Sequence, residues 1–302
     1  MTPDGFRLLP EGSVIAVAGA GGPAGQAVVR RLARAGAIVE AADAAQDRLD
    51  ETVALAPRGR AHGTIVDLTD GAATRAWADE IEDRHGRVDG LVHLVGGWRG
   101  GKEFGDNTIE DWEFLHKLLV RTVQNTSLAF HDALARAPHG RFVLVSATAA
   151  AKPTAGNAGY AAAKSAAETW TLAMADSFRR LRRDRAAERP GSDRATTGGA
   201  TGGASGGATT GGAAEAVGAD VSGAGAGRVA VGAEPFDGAE PMDGPAAAIL
   251  VVKALVWPLL RAERPDAKFP GYTDVADLAE EIAALWDRPT DDVNGQRLCL
   301  TQ

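Results

Sequence analysis

Residues 13–25 read Ser-Val-Ile-Ala-Val-Ala-Gly-Ala-Gly-Gly-Pro-Ala-Gly, an apolar run followed at once by a glycine cluster. The apolar run predicts a buried strand, and the cluster then opens a helix. Glycines permit a tight turn and let backbone N–H groups approach a pyrophosphate, which the helix N-terminus also favours. An ordinary strand-to-helix turn is the alternative. If the site is real, its cofactor contacts are Gly19, Gly21, Gly22, Pro23, Ala24 and Gly25.

An aspartate at the end of the next predicted strand favours the dinucleotide site. Asp43 lies 18 residues beyond Gly25, close to the spacing of the acid that binds the adenosine ribose. A carboxylate there repels a 2′-phosphate, so we expect NAD rather than NADP. Arg48 nearby leaves NADP as the lesser option, and a solvated loop aspartate is the alternative. Asp67 and Leu68, after the third strand, are predicted to contact the adenine edge.

The first half of the chain alternates short apolar runs with amphipathic stretches, which is typical of strand–helix–strand units in a parallel sheet. Predicted strands span 13–18, 37–42, 63–66, 90–95 and 141–146, and predicted helices span 23–35, 46–54, 71–85, 108–137 and 158–183. We therefore expect an α/β protein with a doubly wound, mostly parallel sheet and helices on both of its faces.

The composition changes abruptly to Gly, Ala, Thr and Ser between residues 184 and 244. Such a segment buries too little apolar area to offset its chain entropy, so we predict a flexible insertion. Residues 228–231 within it are either a short strand or irregular. Beyond it we predict a strand at 246–252, a helix at 274–286 with Thr273 as N-cap, and a strand at 296–301. Residues 1–183 and 245–302 would then form one domain.

Tyr160 and Lys164 are four residues apart and share one face of a predicted helix. That helix follows the fifth strand, beside the strand ends where open α/β sheets bind ligands. Because a nearby ammonium stabilises a phenolate, Tyr160 is predicted to be the acid/base and Lys164 its activator and a ligand of the nicotinamide ribose. Ser146 is the candidate partner of the substrate oxygen, with Thr148 as its rival and a plain strand-end serine as the alternative.

Composition narrows the class of protein. The chain has 302 residues, 45% of them hydrophobic, and a formal charge of −8 without basic patches, which disfavours nucleic-acid partners. Cys299 is the single cysteine, and the six histidines show no metal-binding spacing, so we expect neither disulfide nor metal site. Without an apolar leader or a run of roughly 18 apolar residues, a cytoplasmic enzyme without a membrane span is expected.

Two motifs resemble those of the short-chain dehydrogenase/reductase family. Gly19, Gly22 and Gly25 match its G-x-x-G-x-x-G spacing, and residues 160–164 match its Y-x-x-x-K. The resemblance implies a Rossmann fold, NAD(P)-dependent hydride transfer to or from a C=O or C=N group, and a homodimer or homotetramer formed through the long helices. It also implies that Val95, Gly96 and Gly97 contact the cofactor.

Residues 95–101, Val-Gly-Gly-Trp-Arg-Gly-Gly, look like the branch of the family that contains quinonoid dihydropteridine reductase. Trp98 in this run is predicted either to wall the substrate pocket and stack on a flat ring or to be a packing residue.

The chain also departs from the family pattern. The helix asparagine of the family falls near Arg121, Ala147 occupies the usual serine spacing, and Lys253-Ala254 replaces Pro-Gly after the sixth strand. These departures keep a second function class open, a dinucleotide-binding sensor or regulatory protein without turnover. The retained Tyr160 and Lys164 favour the enzyme.

Overall fold

The computed structural model describes residue 9, residues 12–188 and residues 244–300. The chain divides into two compact units, one comprising Met1–Ala187 with Pro241–Gln302 and the other Glu188–Glu240. The fold below is that of the first unit. Most of the predicted insertion, including residues 228–231, lies outside the described residues, as does Thr301.

Seven parallel strands form the central sheet. Its order is β3-β2-β1-β4-β5-β6-β9, which places the earliest strand in the middle and winds outward in both directions. These strands are β1 Val14–Ala18, β2 Ile38–Asp43, β3 Ala61–Ile65, β4 Gly90–His93, β5 Arg141–Ala147, β6 Ala246–Val252 and β9 Arg297–Cys299. Two further strands that the sequence did not suggest, β7 Leu255–Val256 and β8 Thr273–Asp274, pair with each other.

Nine α-helices connect the strands within the described ranges. They are α1 Pro23–Arg34, α2 Gln46–Ala54, α3 Gly71–His85, α4 Ile109–His116, α5 Thr122–Arg136, α6 Ala158–Glu188, α7 Pro258–Glu263, α8 Val275–Ala284 and α9 Thr290–Val293. Helix α6 runs to Glu188, so residues 184–188, which we assigned to the insertion, are helical. Arg182 stabilises the last turns of α6 by donating to the Pro245 carbonyl and pairing with Asp291 at 2.8 Å.

Separate hydrophobic cores cover the two faces of the sheet. In β1, Ile15 and Val17 point into a core completed by α1, α2 and α8, whereas Val14, Ala16 and Ala18 point into a core completed by α3, α5 and α6. Alternate side chains of a strand face opposite sides, so a strand buried on both sides must be apolar throughout. The predicted doubly wound α/β sheet is confirmed.

A π-helical turn interrupts the long helix predicted over residues 108–137. Helix α4 ends at His116, the π turn occupies Lys117–Arg121, and α5 begins at Thr122. The Leu118 carbonyl accepts a hydrogen bond of 2.6 Å from the Thr122 hydroxyl. A π turn takes an extra residue, so it rotates the residues that follow it relative to an uninterrupted helix.

Two local predictions need correction. Thr273 was predicted to cap the helix of residues 274–286, but it lies in β8 and its hydroxyl donates to the Leu300 carbonyl. Asp274 is the N-cap of α8, since its carboxylate accepts from the Ala276 N–H at 2.9 Å. The fourth strand ends at His93 rather than residue 95 because its partner β1 ends at Ala18, where the glycine turn begins.

Candidate active site

A cleft of about 690 Å³ opens at the carboxyl ends of the parallel strands, where open α/β sheets bind their ligands. Most of the residues predicted from the sequence line it: Gly19, Gly22, Pro23, Ala24, Gly25, Asp43, Asp67, Leu68, Val95, Gly96, Gly97, Trp98, Ser146, Tyr160 and Lys164. Gly21 and Thr148 are not among the lining residues. The fold thus brings the predicted cofactor and catalytic residues to one place.

The turn between β1 and α1 needs its glycines for different reasons. Gly19 has a φ of +81°, and a Cβ there would lie 2.7 Å from the Val95 backbone nitrogen. A Cβ on Gly25 would overlap the Ala20 carbonyl, so helix α1 packs directly on the turn. A Cβ on Gly22 would meet nothing within 4 Å, and α1 has no side-chain cap there. The open N-terminus of α1 therefore offers backbone N–H groups to an anion in the cleft.

Asp43 holds the glycine turn from the neighbouring strand. Its carboxylate accepts from the Gly21 N–H at 2.9 Å, from the Ala45 N–H at 3.1 Å and from Arg48 at 3.1 Å. A carboxylate offers about four lone-pair sites, so capacity remains for a ligand hydroxyl. Asp43 is buried, which contradicts the solvated-loop alternative. Its tie to Gly21 was not foreseen from the sequence.

Asp67, at the same end of the cleft, is shaped by its own loop. Its carboxylate accepts from the Thr69 hydroxyl at 2.6 Å and from the Thr69 N–H at 2.9 Å. The hydroxyl hydrogen bond is the larger cause of a lowered pKa for Asp67, and the N–H bond adds to it. The group is therefore an acceptor at neutral pH.

Tyr160 and Lys164 extend into the cleft from the first turns of α6. Lys164 is buried and donates from Nζ to the Val145 carbonyl at 3.0 Å, which ties α6 to the end of β5. Burial lowers the pKa of Lys164 to about 8, against the opposing field of Glu168. Burial raises the pKa of Tyr160. This direction is opposite to the lowering that we predicted from Lys164, because in the ligand-free protein desolvation dominates.

Ser146 presents an unusual hydroxyl. It is 1% exposed, it lines the cleft, and its Oγ has no hydrogen-bond partner among the residues that the structure describes. A buried polar group without a partner is costly, and ligand sites are one place where such groups occur. Thr148, the rival, lies in a short 3-10 turn outside the lining. Ala147 also lines the cleft but offers only a methyl group.

His93 and Thr122 were not predicted as site residues. His93 ends β4, is buried, and has Nε2 at 3.2 Å from the Thr122 hydroxyl and Nδ1 at 3.1 Å from the Thr126 hydroxyl. Burial, with a smaller contribution from the Lys164 cation, lowers the pKa of His93 to about 3. Thr122 lines the cleft where the resemblance suggested Arg121, which is exposed. The π turn of Lys117–Arg121 directly precedes Thr122, and no sequence signal marked it.

Other lining residues of the cleft are apolar or cationic. Trp98 is 60% exposed although it lines the cleft, and Leu118, Leu255 and Trp257 are further apolar lining residues. Lys253, which follows β6, also lines it and donates from Nζ to the Pro270 carbonyl at 3.0 Å.

Neither a metal-binding cluster nor a membrane-spanning helix is found in the described part of the chain. No three His, Cys, Asp or Glu side chains there come together as they would to hold a metal ion. Within the same residues, none of the helices has the length and apolar character needed to span a membrane.

Comparison with known proteins agrees with the fold and the cleft. The family model described as short chain dehydrogenase matches residues 13–182. Meso-2,3-butanediol dehydrogenase of Serratia marcescens is 33% identical over 102 residues, which cover 34% of this chain and 40% of that protein. The 2,3-dihydro-2,3-dihydroxybenzoate dehydrogenase of Bacillus subtilis is 32% identical over 166 residues, 54% of this chain and 63% of its own length. The chain thus matches between 40% and 63% of the length of these two relatives.

Solved structures share the fold of this chain. A short-chain type dehydrogenase/reductase from Mycobacterium ulcerans aligns over 98% of this chain and 90% of its own, with a TM-score of 0.68 and 18% identity. A gluconate 5-dehydrogenase from Burkholderia cenocepacia, solved with NADP and tartrate, aligns over 98% and 96%, with a TM-score of 0.65 and 20% identity. These relatives give no support to the dihydropteridine reductase branch. The chain belongs to the short-chain dehydrogenase/reductase family.

Proposed function

We propose that this protein is an NAD-dependent oxidoreductase that moves hydride between nicotinamide and a C=O or C=N substrate. The observation that carries the proposal is that Tyr160 and Lys164 line the same cleft as the glycine turn of residues 19–25. A dinucleotide held at that turn and running along the strand ends reaches the tyrosine. No observation favours the non-catalytic sensor.

The residues of the cleft fit a nicotinamide dinucleotide. The open space over Gly22 and the uncapped N-terminus of α1 suit a pyrophosphate. Asp43 would accept from the adenosine ribose, and its charge disfavours a 2′-phosphate, so we propose NAD over NADP. Asp67 and Leu68 would border the adenine, and residues 95–97 would line the path towards nicotinamide. NADP remains the lesser option because Arg48 stands beside Asp43, and one solved relative carries NADP.

Bound nicotinamide would supply or accept the hydride, and the residues of this chain would handle the proton. Because burial raises the pKa of Tyr160, its phenol keeps its proton at neutral pH and is ready to donate it to the substrate oxygen. The Lys164 ammonium would stabilise the phenolate left behind. The unpartnered Ser146 hydroxyl would hydrogen-bond the substrate oxygen. The protonated phenol is the form of Tyr160 that reduction of the substrate requires.

The chain offers a matched control for this proposal, because it contains only two tyrosines, Tyr160 and Tyr272. NADH and NADPH binding is titrated first, and NADH oxidation is then followed against small ketones, quinones and quinonoid pterins. Tyr160→Phe should reduce turnover by about 10²-fold or more, as expected for loss of general acid catalysis. Tyr272→Phe, outside the cleft lining, should leave it unchanged. Tight NADH binding with no turnover on any substrate would instead favour the non-catalytic class.

Finer assignments are also proposals. The quinonoid pterins test the dihydropteridine reductase branch, which rests on residues 95–101 and the exposed face of Trp98. We propose a homodimer or homotetramer, since Leu128 of α5 and Leu172 of α6 are 58% and 44% exposed. Light scattering of wild type and of a Leu128→Lys, Leu172→Lys variant tests it. A cytoplasmic location accords with the single cysteine.

The domain organisation is testable by deletion. We propose that 1–183 and 245–302 form one catalytic domain and that 184–244 is an insertion, apart from the turn of α6 that extends to Glu188. Removing residues 194–227 should leave soluble protein with unchanged NADH affinity. Loss of soluble protein would show that the segment is required for folding.

A further inference from the structure

Charge is distributed unevenly along the cleft. Asp43 and Asp67 are the carboxylates among its lining residues, and both belong to the β2 and β3 end. The β5 and β6 end carries two lysines, Lys164 from α6 and Lys253 after β6, and the lining holds no carboxylate there. Since the sheet order separates β2 from β6 by three strands, the two ends do not neutralise each other at short range. The substrate end is therefore cationic.

Lys253 is held in place yet keeps its charge available. Its Nζ donates to the Pro270 carbonyl at 3.0 Å, and an ammonium has three donors, so two remain for a ligand. None of the described carboxylates forms an ion pair with it. Asp274, on the strand β8 that pairs beside this segment, is taken up by Arg261 at 3.2 Å. Lys253 is thus an anchored cation among the lining residues of the cleft, and none of the described carboxylates pairs with it.

The two lysines differ in their burial and in their position in the cleft. Lys164 is buried, bonded to the Val145 carbonyl and next to Tyr160, so it belongs to the reacting end of the substrate. Lys253 is exposed and lies beyond the end of β6, and Leu255 and Trp257 line the same cleft. An anion bound there would be a part of the substrate that does not react, because the proton donor lies elsewhere.

We propose that Lys253 forms an anion subsite that selects substrates carrying a carboxylate in addition to the reacting C=O or C=N group. This inference rests on the proposed function, since it assigns the substrate class of the same cleft. The reaction itself is unchanged: hydride reaches the carbon, the Tyr160 proton reaches the oxygen or nitrogen, and the carboxylate stays ionised at Lys253. A charge-assisted hydrogen bond of this kind increases affinity by about tenfold or more.

The test uses the full chain saturated with NADH and two probes of one shape, benzoate and benzamide. Their dissociation constants are measured by saturation-transfer NMR on wild type, Lys253→Met, Lys253→Arg and the control Lys268→Met, which changes an exposed lysine outside the cleft lining. We expect benzoate to bind about tenfold more tightly than benzamide. Lys253→Met should abolish this preference, whereas Lys253→Arg and Lys268→Met should retain it, and added salt should weaken it.

Each other outcome overturns the subsite. Equal affinity of the two probes for wild type, including no binding of either, removes the selectivity. If the preference for benzoate survives in Lys253→Met, another residue causes it. If Lys253→Met binds NADH more weakly than wild type, Lys253 contacts the cofactor and not the substrate. An equal loss for both probes indicates a structural role. A wild-type protein that binds no NADH overturns the proposed function, and the subsite with it, and is distinguished by the NADH titration made beforehand.

Discussion

Acidification should destabilise this protein through one buried histidine. The His93 imidazole is 1% exposed at the end of β4, between the hydroxyls of Thr122 and Thr126. Burial lowers its pKa to about 3 in the folded protein, from an ordinary value of 6.5. The unfolded chain therefore binds the proton first as the pH falls. The stability that neutral His93 allows is complete above pH 6.5 and is lost progressively towards pH 3.

The size of the effect follows from the two pKa values. Between the two pKa values, each unit by which the pH falls lowers the free energy of unfolding by about 1.4 kcal/mol. Going from pH 7.5 to pH 5.0 traverses 1.5 units of that window, so His93 alone should remove about 2 kcal/mol from the free energy of unfolding. That is a substantial part of the 5–15 kcal/mol typical of folded proteins.

Urea unfolding at the two pH values measures this loss, and His93→Gln isolates it. Glutamine retains a donor and an acceptor for the two threonines but does not titrate. We expect the variant to lose about 2 kcal/mol less than wild type between pH 7.5 and pH 5.0. Equal losses for wild type and His93→Gln would refute the reasoning, because other titrating groups cancel in the comparison.

Three further predictions concern the glycine turn of residues 19–25, Asp43 and Lys164. Gly22→Ala should keep the free energy of unfolding within about 0.5 kcal/mol of wild type while raising the Kd for NADH. Gly25→Ala should instead lower the free energy of unfolding by about 2 kcal/mol. Urea unfolding measures the stabilities, and fluorescence titration measures the Kd for NADH. Asp43→Asn should weaken NADH binding about tenfold, because the variant loses a charge-assisted hydrogen bond to the glycine turn. It should also bring the Kd values for NADH and NADPH closer together, because the carboxylate no longer repels a 2′-phosphate. An unchanged ratio of the two Kd values would contradict this. The rate of NADH-dependent reduction should fall as the pH rises through about 8, where Lys164 loses its proton. Lys164→Arg should move that decline to higher pH. Identical pH–rate profiles of wild type and variant would exclude Lys164 as the cause of the decline.

Regular patterns made the fold predictable from the sequence. The strand, turn and helix of residues 13–35, the alternation that follows and the strand Ala246–Val252 were all predicted close to their observed bounds. Burial governs each of these segments: a strand buried on both faces is a continuous apolar run, and a helix buried on one face has a helical period of apolar residues. The gathering of Tyr160, Lys164 and the glycine turn in one cleft followed from the parallel sheet alone.

Interactions between distant segments were not predictable in this way. The π turn of Lys117–Arg121 leaves no periodic signal, yet it places Thr122 in the cleft. Asp43 was predicted to bind the adenosine ribose, but one of its oxygens also accepts a hydrogen bond from the Gly21 N–H, 22 positions away in the chain. The pKa of Tyr160 depends on how much water its surroundings exclude, which is a property of packing and not of spacing.

The pairing of β5 with β6 has a consequence for synthesis of the chain. All seven residues of β5 pair with β6, but β6 begins at Ala246, about 100 residues after β5 ends at Ala147. At a translation rate of about 10 residues per second, the apolar edge of β5 has no partner for roughly 10 s after it leaves the ribosome. An open apolar strand edge is a site of wrong pairing. Nascent chains of this protein should therefore depend on chaperones during that interval.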